Sequence, residues 1–313
     1  MRLVFMGTPE IAVPSLEAVV EAGHEVALVV TRPDRPAGRG RRLRRGAVAA
    51  AADRLGLAVV QPERVAEAAA EFAARRAEAA CVLAYGQILP PPVLAAFPRG
   101  CINVHFSLLP RLRGAAPINH AILQGLAETG VTTMFMDQGL DTGDIILQRA
   151  TPLEPQDTAG SLARRLAGMG AELLVETLAL LEAGRAPRTP QDHSRATWAP
   201  RLGKSDGRVD WTRPARELDR QVRGLDPWPA AFTSWAGRQL RLFAPTRLLP
   251  RAQGGRPGQV MPPPPGEDAF LWVATGQGWL GLGQVQAAGK RRLPATQWLR
   301  GARLSPGARL GVE

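Results

Sequence analysis

The chain has 313 residues, 45% of them hydrophobic, with 39 Lys and Arg against 28 Asp and Glu for a net charge of +11. That length is too great for one small core and suits two domains, while no apolar run approaches the roughly 18 residues that cross a bilayer. Two cysteines, Cys81 and Cys101, exclude a disulfide framework and zinc spacing, and the opening MRLVFMGTPE runs from a short apolar strand into a turn, unlike a secretory signal, so the cytoplasm is the expected location.

In chain order, strands are predicted at 2–6, 25–31, 58–61, 80–84, 101–105 and 131–137, with helices at 11–21, 47–55, 64–75, 115–124 and 161–182. This alternation predicts an α/β domain, a doubly wound, mostly parallel sheet with helices on both faces. Such sheets bind ligands beyond the carboxyl ends of their strands. The first strand ends in GTPEIAV, where a dinucleotide-binding protein would carry G-x-G-x-x-G. A single glycine followed by Pro9 argues against nicotinamide or flavin, and leaves open a phosphate at the helix start or a plain turn. After the second strand comes RPDRPAGRGRRLRR, readable as a solvated charge run or as a grip on a nucleic acid end. Cys81 and Cys101 fall in the apolar runs CVLAYG and CINVH, as buried inert thiols would.

The stretch Asn103-Val104-His105-Phe106-Ser107-Leu108-Leu109-Pro110 is answered by Gly139-Leu140-Asp141-Thr142-Gly143-Asp144. Asn103 and His105, two apart on a strand, share one face, and Asp141 is expected at another strand end. Moving an acyl group between two nitrogens needs an oxyanion donor and a proton carrier, and amide, imidazole and carboxylate supply both without a covalent nucleophile. His24, His120 and His193 have no such company and read as structural.

From about 185 the pattern dissolves into RAPRTPQDHSRATWAPRLGKSDG, with the composition of a surface linker. The expected division is a catalytic domain at 1–186, a linker at 187–206 and a second domain at 207–313. That second domain holds a helix at 214–224 and then short strands separated by Gly and Pro, which suggests a small OB-like β-barrel of the oligonucleotide-binding kind. The cationic surplus predicts attraction to polyanions, nucleic acid first among them.

INVHFSLLPRLRGAAPINHAI, GVTTMFMDQGLDTGDII, TRPDRPAGRGRRL and LDPWPAAF together resemble the formyltetrahydrofolate-dependent formyltransferase family. RPAGRG and the second domain resemble its tRNA-acting branch, and the match runs collinearly from Met1 to about 303, through VQAAGKRRLPATQWLRG. The resemblance implies a Rossmann-like formyltransferase fold with an OB-like C-terminal domain. It implies 10-formyltetrahydrofolate as co-substrate, initiator methionyl-tRNA as acceptor and no metal. It assigns catalysis to Asn103, His105 and Asp141. Asn103 and His105 would stabilise a tetrahedral oxyanion, and Asp141 would orient His105 or a water that carries the proton. Folate contacts are implied at Ser107, Leu108, Leu109 and Pro110, and at Tyr85, Gly86, Gln87, Ile88 and Leu89, which should line the pterin pocket. Arg35, Arg39, Arg41 and Arg42 of the basic loop are the expected tRNA contacts, and a monomer is the expected state. Phe106 stands where the family usually carries a small residue or proline. A formyltransferase for small amines would have little use for a basic second domain, and a non-catalytic RNA-binding protein would have no reason to keep the amide, imidazole and carboxylate.

Overall fold

The computed structural model describes residues 1–37, 42–302, 304 and 307–311. The elements of the first part are β1 (Arg2–Gly7), α1 (Val13–Glu21), β2 (Glu25–Val30), β3 (Arg35–Ala37), β4 (Arg42–Arg44), α2 (Ala47–Arg54) and β5 (Val59–Val60). They continue with α3 (Ala69–Arg75), β6 (Ala79–Leu83), α4 (Pro91–Leu94), β7 (Cys101–His105), α5 (Pro117–Leu123), β8 (Glu128–Phe135), β9 (Ile145–Pro152) and α6 (Ala159–Glu182). The chain divides into two compact units. Met1–Pro117, Glu128–Thr151 and Ala163–Ala199 form the first; Ile118–Ala127, Pro152–Leu162 and Pro200–Glu313 form the second. Among the described residues no helix is long and apolar enough to cross a membrane.

One sheet runs in the order β5-β2-β1-β6-β7-β8-β9, and its members from β5 to β7 are parallel. Its central strands read as unbroken apolar runs because both faces are covered. Val4 and Met6 of β1 join Leu28, Val30 and Val82 in a cluster with Phe72 of α3 and Val93 of α4. Leu3 and Phe5 alternate to the opposite face and are equally buried. The thiols of Cys81 and Cys101 are free and buried, and burial pushes both up to about 12. Helix α6 covers β7 and β8: Thr177 meets Thr133 at 2.7 Å, and a Cβ on Gly170 would stand 3.3 Å from the Phe106 ring. A glycine on the facing helix thus gives the bulky Phe106 its room.

Strand β8 departs from the expected parallel pattern. It pairs antiparallel with β7, His105 opposite Thr132 and Ile102 opposite Phe135. Its carboxyl end therefore lies at the edge of the sheet away from His105. Asp141 does not reach His105 by sitting at a neighbouring carboxyl end; the 136–144 loop must carry it back across the sheet. β9, IILQRATP, was not anticipated either: it lies at the sheet's margin with Ile146 its one buried residue, and Gln148, Arg149 and Pro152 break the apolar run by which the central strands are recognised.

In the second unit, α7 (Ala215–Gly224) precedes β10 (Ala231–Trp235), β11 (Arg238–Leu249), β12 (Val260–Met261), β13 (Leu271–Ala274), β14 (Trp279–Ala287), β15 (Leu293–Pro294) and α8 (Ala295–Ala302). The strands form an antiparallel sheet in the order β10-β11-β14-β13-β12, with β15 on β14. Leu240, Leu242, Leu280 and Leu282 point into a core with Leu218 and Val222 of α7 and with Trp211. The pairing of β11 with β14 shifts between Phe243 and Thr246, a bulge of the kind that bends a sheet. A Cβ on Gly283 would meet Pro245 at 2.8 Å, so the partner strand is glycine there. The turn after α7 is held by Asp226, whose carboxylate takes two bonds at 3.0 Å from Arg292 and one from the Ala244 N–H.

Candidate active site

Strands β2 and β5 lie to one side of β1 and β6 and β7 to the other, so the chain reverses direction across the sheet between β1 and β6. A crevice opens at the carboxyl edge of such a reversal. Here Thr8 Oγ1 donates to the Tyr85 carbonyl at 3.2 Å and Arg32 Nη1 to that of Gly86 at 3.3 Å.

His105 ends β7 and is 6% exposed. Its Nε2 lies 2.9 Å from the Leu112 carbonyl. A carbonyl only accepts, so Nε2 carries the ring proton and Nδ1 is the free nitrogen. Nδ1 faces Asp141 Oδ2 at 3.7 Å, too far for a direct hydrogen bond but close enough for a carboxylate to stabilise an imidazolium. Orientation of the ring thus comes from Leu112, and charge from Asp141. The same Oδ2 accepts the Gly114 N–H at 2.8 Å. Asn103 lies two residues back on β7, half-buried, and its side chain has no hydrogen-bond partner among the described residues.

Backbone strain is concentrated here. Ala84, Leu112 and Asp141 have φ of 46°, 58° and 56°, left-handed values that non-glycine residues adopt at a cost and that surrounding contacts must enforce. Both groups that flank the His105 ring therefore come from strained residues. Gly114, at φ 117°, has no alternative: a Cβ there would stand 2.7 Å from the Ala199 carbonyl oxygen.

The expected folate contacts separate into two sets. Ser107 to Pro110 form a turn stitched to β8 and β9. Thr132 Oγ1 donates to the Ser107 carbonyl at 2.7 Å and accepts the Leu109 N–H at 3.1 Å, and Gln148 donates to the Leu109 carbonyl at 2.9 Å. The Ser107 hydroxyl is committed to the Arg111 carbonyl at 2.6 Å, Leu109 is buried, and Leu108 and Pro110 are half-buried. In the second set, Tyr85 and Leu89 belong to the apolar core beneath the edge. Gln87 is spent on Val65 and Glu63, Gly86 turns at φ 80°, and Ile88 stands 84% exposed. The Tyr85 hydroxyl is buried without a partner among the described residues, and burial pushes its pKa up to about 12.

Within the basic stretch β3 and β4 pair antiparallel, exposed Arg35 opposite Arg44, and Arg42 begins β4; Arg39 and Arg41 lie outside the described residues. A cavity of about 820 Å³ opens beside it, lined in part by Thr8, Arg32, Arg35, Arg44 and Arg45. The Gln61 amide and the Gly46 N–H hold the nearby Asp34 carboxyl below the usual carboxylate range. The charge is uneven along the chain: residues 200–313 carry 18 Arg and Lys against eight Asp and Glu, and residues 1–199 carry 21 against 20. No group of three or more His, Cys, Asp or Glu gathers as a metal site among the described residues.

Sequence reasoning missed the partners that set this geometry. Leu112 and Gly114 are read only through backbone atoms, which no side-chain motif announces. They are fixed in turn by residues of the expected linker: the Arg113 N–H donates to the Thr197 carbonyl at 2.8 Å, and Thr197 Oγ1 accepts the Leu112 N–H at 2.9 Å. Residues 187–199 thus pack into the first unit instead of bridging two domains.

Residues 1–178 match the family described as formyl transferase, and residues 201–303 match the formyl transferase C-terminal domain. The methionyl-tRNA formyltransferase of Heliobacterium modesticaldum is 48% identical over 323 residues, covering 99% of this chain and 100% of that protein. That of Solibacter usitatus is 49% identical over 313 residues, covering 99% of each. HypX from Aquifex aeolicus, solved in complex with tetrahydrofolic acid, superposes with a TM-score of 0.68 at 20% identity, over 98% of this chain and 48% of that one. An N-formyltransferase from Helicobacter canadensis, solved with folinic acid and dTDP-3-aminofucose, gives 0.67 at 18% identity, over 91% and 98%.

Proposed function

The chain belongs to the formyl transferase family, and from that premise we propose that it moves the formyl group of 10-formyltetrahydrofolate to the free amino group of initiator methionyl-tRNA. The observation that carries the chemistry is the His105 ring, fixed through Nε2 by Leu112 and presenting Nδ1 to the Asp141 carboxylate at 3.7 Å. Attack of the methionyl amine on the formyl carbon puts negative charge on the formyl oxygen, and the unpartnered Asn103 amide donates to it. Such a donor typically contributes on the order of a hundredfold to a thousandfold in rate. His105 Nδ1 takes the proton that the attacking nitrogen sheds, Asp141 stabilises the imidazolium, and the proton returns to the folate nitrogen as that bond breaks.

The residues at the edge fit a flat heteroaromatic ligand. Ile88 presents an exposed apolar side chain, the Tyr85 hydroxyl is buried and unpaired among the described residues, and the Ser107–Pro110 turn is tied beneath by hydrogen bonds. In this reading the first unit binds the folate and performs the transfer. The second, an OB-like barrel in its finer description, supports the tRNA with its cationic surplus, and Arg35, Arg39, Arg41 and Arg42 contact the acceptor end. The enzyme works as a monomer in the cytoplasm.

The test supplies formyl-labelled 10-formyltetrahydrofolate with charged initiator tRNA, glycinamide ribonucleotide or an amino sugar nucleotide. Label on the methionyl amino group supports the assignment. Label on a small amine with none on the charged tRNA overturns it.

A further inference from the structure

We infer that Gln191 is a positioning residue for the transfer reaction, holding the strained backbone at Asp141 with Arg113 behind it. Both side chains are almost fully buried, at 6% and 3% exposure. Gln191 Nε2 donates to the carbonyls of Asp141 and Gly143 at 2.9 and 2.8 Å, and lies 3.9 Å from the sulfur of Met134. Met134 is the register partner of Asn103 on β7, so the amide pins the Asp141 loop over the sheet face that Asn103 shares.

The other end of the amide is equally determined. Gln191 Oε1 accepts from Arg113 Nη2 at 2.6 Å and Nε at 3.2 Å, and Nη2 also donates to His193 Nδ1 at 3.1 Å. A guanidinium has no acceptor and a carbonyl no donor, so the amide can sit only one way round. No carboxylate lies within ion-pair distance of Arg113 among the described residues. Its buried charge is met by the Gln191 oxygen and the His193 ring instead. A glutamate at 191 would meet that charge better, yet it would turn a carboxylate oxygen on the two loop carbonyls. That a neutral amide stands here, on a cation that a carboxylate would suit, points to the donor end as the one the site requires.

Neighbouring residues of the same segment support the loop. The Arg188 guanidinium lies 3.6 Å over the Phe135 ring and 3.7 Å from Asp144, and Thr189 exchanges backbone bonds with Ile145 at 2.8 and 3.0 Å. Residues 188–191 thus bind the loop at both its ends, and Gln191 supplies the contact at the strained residue itself. With those bonds broken, Asp141 can relax from φ 56° and carry its carboxylate away from Nδ1.

This inference rests on Asp141 as a catalytic group, so the experiment includes Asp141→Asn. Gln191→Met preserves volume and removes every hydrogen bond; Gln191→Glu preserves the partner of Arg113 and removes only the donor. The full-length enzyme is assayed for kcat and for KM toward folate and charged tRNA, with Tm measured in parallel. Both Gln191 variants should lose at least about tenfold in kcat with each KM within about twofold, because substrate binding is untouched and transition-state geometry is not. Gln191→Glu, which keeps the partner of Arg113, should keep more of its Tm than Gln191→Met while losing activity. A Gln191→Glu enzyme within threefold of wild-type kcat would mean that the residue only satisfies Arg113, and would overturn the inference even if Gln191→Met fails to fold. An active Asp141→Asn enzyme would instead bring down the catalytic reading on which it stands.

Discussion

Replacing Asp141 by Asn isolates the charge at the centre of the site. The amide keeps an oxygen for the Gly114 N–H, now accepted at 2.8 Å, and asparagine is among the few residues at home at the observed φ of 56°. Folding should therefore be preserved, with Tm within about 2 °C of wild type. What disappears is a negative charge 3.7 Å from His105 Nδ1. At that distance and an effective dielectric near 20, a carboxylate and an imidazolium attract by about 4 kcal/mol. The asparagine dipole recovers part of it, leaving a deficit of roughly 2–4 kcal/mol in a step that places a proton on the ring, or a fall of about 30-fold to 1,000-fold in rate. Single-turnover formyl transfer at saturating folate and charged tRNA measures that step. A folded Asp141→Asn enzyme within about fivefold of the wild-type rate would refute the electrostatic argument, and a Tm loss above about 5 °C would recast the carboxylate as a structural anchor.

Gly114→Ala forces a Cβ to within 2.7 Å of the Ala199 carbonyl at φ 117°, so chemical denaturation should show a loss of about 2–4 kcal/mol together with reduced kcat; unchanged stability would mean that the 111–116 loop is free to move. Arg292→Ala strands the Asp226 carboxylate, which is 5% exposed, and should destabilise the second unit by about 3 kcal/mol while folate affinity holds, an outcome read from guanidinium unfolding and folate calorimetry. Loss of folate binding in that variant would show that the two units do not fail separately. Replacing Arg39, Arg41 and Arg42 with Ala should raise KM for charged tRNA, spare folate affinity and flatten the salt dependence by roughly one unit per lost phosphate contact. An unaltered salt slope would reduce the loop to a solvated charge run.

Much of this site could be read from the chain because strands announce themselves. CINVH has the length and β-branched content of a buried strand, and period-two geometry puts Asn103 and His105 on one face whatever else the fold does. The location of Asp141 could not be read the same way. A run such as VTTMFMD declares a strand but not its direction, and β8 turned out antiparallel. The loop that returns Asp141 to His105 is specified by tertiary contacts, above all by Gln191, which lies in a stretch whose Pro, Ser, Asp and Arg content is that of a linker. Composition reported its solvent exposure correctly at Asp192, Ser194 and Arg195. The buried Gln191 and Ala199 among them carry the structural information, and single buried positions leave no periodic trace. Leu112 and Gly114 act through a carbonyl and an N–H, groups that nearly every residue has, so their roles emerge only from the folded structure.

The central claim, that Asn103 and His105 perform the transfer, is tested most directly by single-turnover formylation of charged initiator tRNA with Asn103→Ala and His105→Ala. The Asn103 amide bonds to no other described residue, so its removal should leave Tm intact and slow transfer on the order of a hundredfold to a thousandfold. His105→Ala should slow it at least as much. Retention of more than about a tenth of the wild-type rate by either folded variant would contradict the account.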